Sequence, residues 1–107
     1  MNDPDSDSTV NSQWLNTLNS LKILCNENNI ELILCTIPTS STRNHSFKND
    51  IIRSSGYRYV DISYALGAEE STDWYSGLQA SDHIHPTPQG SNVIASRMIA
   101  EVPELLA

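Results

Sequence analysis

Residues 30–38, Ile30-Glu31-Leu32-Ile33-Leu34-Cys35-Thr36-Ile37-Pro38, form a near-continuous apolar run, interrupted by Glu31 and closed by proline. Its length and β-branched content point to a strand rather than a helix. The lack of alternation predicts burial on both faces, as in parallel sheets. The run is far shorter than the ~20 residues a membrane-spanning helix needs.

On the N-terminal side, Trp14, Leu18, Leu21 and Cys25 fall at i, i+4, i+7 and i+11, and Leu15 and Leu24 widen the stripe. That spacing predicts an amphipathic helix from about Val10 to Asn28. Thr9 and Asn11 are both placed to cap its start, and Asn28-Asn29 suits its end because Asn tolerates the left-handed conformation. Residues 1–9 are polar, acidic and broken by Pro4, so they read as loop. On the C-terminal side, Thr39–Asn44 is a polar loop leaving the carboxyl end of the strand, where open α/β folds place their ligands. A second helix is expected over Arg43–Ser55, with Phe47, Ile51 and Ile52 on its apolar face and Gly56 behind it. Tyr57–Ile62 reads as the next strand. Tyr64–Ser71 suits one or two helical turns, and Thr72–Ala80, with Trp74, Tyr75 and Gly77, is a long loop. A last helix carries Ile94, Met98 and Val102 on one face and breaks near Pro103, leaving a short turn to Leu106. Helix, strand, helix, strand, loop, helix is an α/β order, with parallel strands and right-handed crossovers.

The 107 residues suffice for one small domain. A net charge of −7, from 13 acidic and 6 basic residues, argues against nucleic acid and against an anionic membrane surface as partners. No basic, apolar signal segment opens the chain. Cys25 and Cys35 are the only cysteines. Two thiols make no disulfide framework and no CxxC zinc spacing, so both read as small buried apolar side chains and leave the compartment open.

The chemistry concentrates in Ser81-Asp82-His83-Ile84-His85-Pro86-Thr87-Pro88-Gln89-Gly90, which runs into the helical Ser91–Glu101. A carboxylate stands three residues before an imidazole. In nucleophilic hydrolases an imidazole takes the proton of the attacking hydroxyl while a carboxylate fixes its tautomer and orientation. Asp82 and His85 can fill those roles from one loop. Pro86 and Pro88 stiffen it, and Thr87 with Pro88 predicts the helix start just behind the imidazole. The blander reading is a turn capped by Asp82 with surface histidines.

Asp-x-x-His-Pro, a short polar spacer, a Gly and an amphipathic helix resemble the last block of the SGNH (GDSL-type) esterases and lipases. The resemblance implies that Asp82 and His85 are the catalytic Asp and His. It also implies a flavodoxin-like, three-layer α/β/α fold with a five-stranded parallel sheet, whose nucleophilic Ser follows the first strand in a Gly-Asp-Ser block. This chain has no Gly-Asp-Ser. Only about two strands and three helices are present, so residues 1–107 read as a single partial domain, the C-terminal half of the family's. Asn2-Asp3, followed by the acidic loop, the helix and the strand ending in Pro38, resembles the tail of the family's Gly-x-Asn-Asp block. Asn2 would then help form the oxyanion hole. Ser40, Ser41, Ser81 and Ser91 lie outside any matching context, so no nucleophile is assigned in this chain.

The resemblance implies a serine esterase acting on small acyl or acetyl esters, without a cofactor, and an inactive chain when alone. Trp74 and Tyr75 would either line its acyl or sugar pocket or pack the loop onto the sheet. His83 and His45 receive no role in it. Two other readings stand beside this one. Asp82, His83 and His85 are potential metal ligands, though too close in sequence to close a shell without another such as His45 or Asp61. Alternatively the chain is a non-catalytic truncated or pseudoenzyme module. Two strands leave open sheet edges, which predicts pairing with a second copy or with a complementing N-terminal half.

Overall fold

The computed structural model describes residues 8–69 and 73–106. Its elements are α1 (Ser8–Glu27), β1 (Leu34–Cys35), α2 (Ser46–Ser54), β2 (Tyr59–Val60), α3 (Ile62–Ala65) and α4 (Pro88–Glu101), followed by a 3₁₀ turn at Pro103–Leu106. β1 and β2 pair in parallel, with Leu34 opposite Tyr59 and Cys35 opposite Val60. The architecture is therefore α/β with a two-stranded parallel sheet.

Both strands are much shorter than the apolar runs that announce them, 30–37 and 57–62. Polar side chains take over the backbone at the strand ends. Asn49, on α2, is 1% exposed. Its Oδ1 accepts from the Ile37 N–H at 2.7 Å, and its Nδ2 donates to the Ile37 carbonyl at 2.8 Å. One amide side chain thus takes both backbone groups that a neighbouring strand would use. At the end of β2, Asp61 caps α3 by accepting the Tyr64 N–H at 3.3 Å, which draws Ile62 out of the expected strand and into a helix. The expected helix at Arg43–Ser55 starts three residues late, because Asn44 Oδ1 accepts the Ser46 N–H at 2.9 Å and holds the preceding residues in a turn. Where the backbone must go left-handed, the sequence supplies suitable residues: Asn29 behind α1 (φ 55°) and Gly56 behind α2 (φ 82°).

Period-two alternation along the strands feeds an apolar cluster on each side of the sheet. Leu18, Leu34 and Ile52 are buried together, with Trp14, Leu32, Tyr57 and Tyr59 against them. Val60, Ile62, Leu66, Ala68, Trp74 and Val102 form the second cluster, flanked by Ile33, Cys35, Ile94 and Met98. Each helical face is narrower than its sequence stripe: Leu21, Leu24 and Phe47 stay exposed, because two strands give α1 and α2 little to cover. Both cysteines are free. Cys25 is buried and Cys35 half-buried, and burial pushes the Cys35 thiol up.

A polar knot ties the carboxyl ends of the two strands. Thr36 Oγ1 donates to Asp61 Oδ1 at 2.9 Å and accepts the Ser63 N–H at 2.9 Å. Arg53 forks onto the same carboxylate through Nε (3.0 Å) and Nη2 (2.9 Å) and also pairs with Glu69, which accepts from Ser63 Oγ. Burial pushes the Asp61 carboxyl up, but hydrogen bonds from Arg53, Thr36 and the Tyr64 N–H outweigh it and hold the group below its ordinary 3.8.

Two outcomes follow from these polar contacts. Asn49→Leu leaves the Ile37 N–H and C=O unsatisfied and should lower stability by about 2 kcal/mol in denaturant titration. Asp61 has a lower pKa folded than unfolded, so its contribution is complete above 3.8 and fades as pH falls through the folded value. Melting temperature should fall as pH drops below about 4, and Asp61→Asn should make that fall smaller.

Candidate active site

The Asp82–His85 loop is a short hairpin bolted to the start of α4. The Thr87 N–H donates to Leu78 O at 2.9 Å, the Ala80 N–H to His85 O at 2.8 Å, and Gln79 pairs antiparallel with Pro86. At the tip, His83 takes a left-handed conformation (φ 61°), its N–H donating to Ala80 O and its carbonyl accepting from Gln79 Nε2, both at 3.0 Å. Thr87 is the N-cap: extended at φ −73°, ψ 174°, it accepts the Gly90 N–H through Oγ1 at 3.1 Å and donates to Gly77 O at 2.6 Å. Pro88 follows in the first turn. Gly90 lets helix and hairpin touch, since a Cβ there would sit 2.3 Å from Leu78 O and 3.0 Å from Pro86 Cβ.

Within this frame one carboxylate organises the turn and orients the imidazole. Asp82 Oδ1 accepts the N–H groups of Ile84 and His85, each at 2.9 Å. Its Oδ2 is hydrogen-bonded to Nδ1 of the His85 ring. The His85 N–H, the His85 ring and the Ile84 N–H together hold the Asp82 carboxyl well below the usual carboxylate range. Asp82 therefore stays ionised at neutral pH and accepts from an Nδ1–H of the ring, and in a neutral imidazole that tautomer puts the lone pair on Nε2. The His85 side chain is 73% exposed, and Nε2 has no partner among the described residues. A carboxylate on Nδ1 with Nε2 unoccupied is an arrangement in which an imidazole can act as a general base.

The position of the hairpin follows from the direction of α4. Arg58, just ahead of β2, donates to Glu101 O at 2.6 Å and to Glu104 at 2.7 and 3.2 Å, which fixes the C-terminus of α4 at the amino end of the strands. The N-terminus of α4, with Thr87 and the hairpin, consequently lies toward the carboxyl ends. Trp74 is buried, and its indole N–H donates to Thr39 O at 2.7 Å while Thr39 Oγ1 donates to Ala68 O. This fastens the loop before the hairpin to the loop leaving β1. Trp74 thus packs the loop onto the sheet, whereas Tyr75 stays 61% exposed.

Asn2, the expected oxyanion residue, lies outside the described residues. Among the described residues no seryl hydroxyl bonds to the His85 ring. The alternative metal reading finds no geometry: among the described residues no three of His, Cys, Asp and Glu converge on a point that would hold an ion. Asp61 is taken by Arg53 and Thr36, and His45 sits half-buried at the start of α2. Also among the described residues, no helix is long and apolar enough to cross a membrane. Sequence reasoning passed over Asn49, Arg53 and Thr36. The available signal for Asn49 was its helical spacing of three from Ile52, a polar residue on an otherwise apolar face. No family model, curated protein or solved structure matches this chain.

Asp82→Ala removes the acceptor of two tip amides, so hydrogen exchange at Ile84 and His85 should quicken by about tenfold or more while the amides of α4 keep their protection. Gly90→Ala forces the hairpin off α4 and should lower stability by about 1–3 kcal/mol in thermal or denaturant melts.

Proposed function

We propose that this chain is the C-terminal portion of an SGNH-type serine esterase, supplying the general base and its orienting carboxylate for hydrolysis of small acyl or acetyl esters. The observation that carries the reading is the Asp82 carboxylate on His85 Nδ1, with Nε2 open, in a hairpin toward the carboxyl ends of a parallel sheet. In α/β folds that end of the sheet is where substrates bind. The Asp-x-x-His-Pro spacing of 82–86 and the glycine at 90 support the family assignment.

In this reading a seryl hydroxyl from a segment outside these residues attacks the ester carbonyl as His85 Nε2 takes its proton. The imidazolium that forms is stabilised by ionised Asp82. It then gives the proton to the departing alcohol oxygen, leaving an acyl-enzyme. Water repeats the sequence with His85 as base, releasing the acid and freeing the serine. Asp82 keeps its negative charge throughout, in keeping with its depressed pKa. Asn2 would donate to the carbonyl oxygen as charge develops there, a contribution worth ~3 kcal/mol of barrier in comparable sites.

Hydrolysis of p-nitrophenyl acetate tests the reading. The chain alone should run at the rate of free imidazole, with at most a small loss in His85→Ala. Joined to the upstream polypeptide bearing the serine, it should turn over, with His85→Ala or Asp82→Asn reducing kcat by about 10⁴-fold. Turnover of the joined protein that is indifferent to His85 would sink the proposal. Robust turnover by the chain alone that His85→Ala abolishes would locate the nucleophile within these residues instead.

A further inference from the structure

Six basic residues stand against 13 acidic ones, and most of the six are taken. Arg53 pairs with Asp61 and Glu69, Arg58 with Glu104, and Arg97 with Glu101, while Lys22 sits over the Tyr57 ring. Arg43 and Lys48 are left. Among the described residues neither meets a carboxylate or an aromatic ring. Nε of Arg43 is buried and takes no hydrogen bond among those residues. In a chain of net charge −7, two cations without an acid are not explained by a shortage of carboxylates.

Lys48 lies in the first turn of α2, beside the Asn49 that grips Ile37, so this end of the helix stands at the carboxyl end of β1. Only 5% of Lys48 is exposed. Ile52, one turn on, shares its flank and packs with Leu18 and Leu34, so the Lys48 stem prolongs a buried stripe. A lysine that merely snorkels keeps its head in water. This one has little water left and no counter-charge among the described residues. Helical side chains lean toward the helix N-terminus, which carries the ammonium toward the opening of α2. That opening is short of acceptors. His45 provides no side-chain cap, and no acidic residue lies in the first turn. Asn44 Oδ1 accepts the Ser46 N–H, and His45 O accepts the Asn49 N–H, both at 2.9 Å. The Lys48 N–H between them has no acceptor among the described residues. Asp50 is exposed and lies about 160° round the helix from Lys48.

We infer that the start of α2 is an oxyanion site, which takes a carboxylate or phosphate group on the Lys48 ammonium and the Lys48 N–H, with Arg43 ahead of the helix as a second cation. Helix N-termini favour anions through their unmet N–H groups and the partial positive charge of the helix dipole. A nearly buried ammonium adds a full charge where water screens it little. The anion in turn supplies the partner that a buried charge otherwise lacks. So little of Lys48 is open that the ligand is a small anion or one terminal group of a larger molecule. Arg43 is set by a tight turn in which the Ser40 N–H donates to Arg43 O at 2.7 Å. Through the bond from the Trp74 indole to Thr39 O, this loop is tied to the segment before the Asp82–His85 hairpin, so the site and the imidazole share one end of the sheet. The site stands on α2 alone, and its failure would leave the esterase reading untouched.

Titration of the chain with inorganic phosphate, and separately with acetate, followed by amide NMR spectra at constant ionic strength, tests the site. Saturable shifts with at least one of the two anions should centre on the Lys48 amide and the first turn of α2, and the anion that saturates identifies the group. Lys48→Met, which keeps the length of the buried stem, should weaken binding about tenfold or more while circular dichroism stays unchanged. Lys22→Met, which removes a cation from α1, should leave binding as it was. The bound anion should also raise the melting temperature of the unaltered chain and not that of Lys48→Met. Shifts that only grow in proportion to concentration overturn the proposal, as does saturable binding that survives Lys48→Met. Binding that appears only after Asp3, Asp5 and Asp7 are changed to Asn also overturns it, and gives Lys48 to the chain's own carboxylates.

Discussion

The parallel pairing of β1 with β2 is the constraint on which the rest of the molecule depends. It is only two residues long, yet alternating side chains on the two strands send Leu34 into one apolar cluster and Ile33, Cys35 and Val60 into or against the other. Each helix layer is defined by the sheet face it covers, so a one-residue slip would exchange the two clusters. Polar groups carry much of the burden of fixing that register. Asn49 takes both backbone groups of Ile37 just beyond β1, and Thr36, Asp61 and Arg53 join the two strand ends through one shared carboxylate. Buried polar networks of this kind help only when every member is satisfied. Here Asp61 and Asn49 both have their partners.

The same arrangement separates building the domain from building the site. Arg58 holds the end of α4 at one edge of the strands, and the 14-residue helix carries its N-terminus to the other. The hairpin is then hung from Thr87 and Gly90 rather than from the sheet. The Asp82–His85 loop depends on the core for its location and on its own short-range bonds for its shape.

Much of this was legible in the amino-acid sequence because it rests on local chemistry. The α/β order follows from hydrophobic periodicity. The ends of α1 and α2 follow from Asn29 and Gly56, and the start of α4 from Thr87 and Pro88. Asp82 and His85 stood out because three residues of spacing in a stiffened turn bring carboxylate and ring together. What escaped was non-local. The apolar runs at 30–37 and 57–62 overstate the strands, because pattern alone does not reveal that Asp61 turns the end of β2 into a helix or that Asn49 occupies the backbone of Ile37. Nor does periodicity say how wide a helix face will be buried: Leu21 and Leu24 belong to the stripe of α1 but find too little sheet beneath them.

The hairpin has a thermodynamic consequence of its own. Every bond that aligns Asp82 with His85 is made within residues 77–90, none spanning more than ten positions. The rotational freedom of the imidazole is thus surrendered when this loop folds, not when another polypeptide or a substrate arrives. An incoming hydroxyl would meet a base whose tautomer is already chosen, and would forfeit only its own motion on approach. The arrangement is modular: the loop and the first turn of its helix form a unit whose internal geometry is indifferent to what stands opposite it.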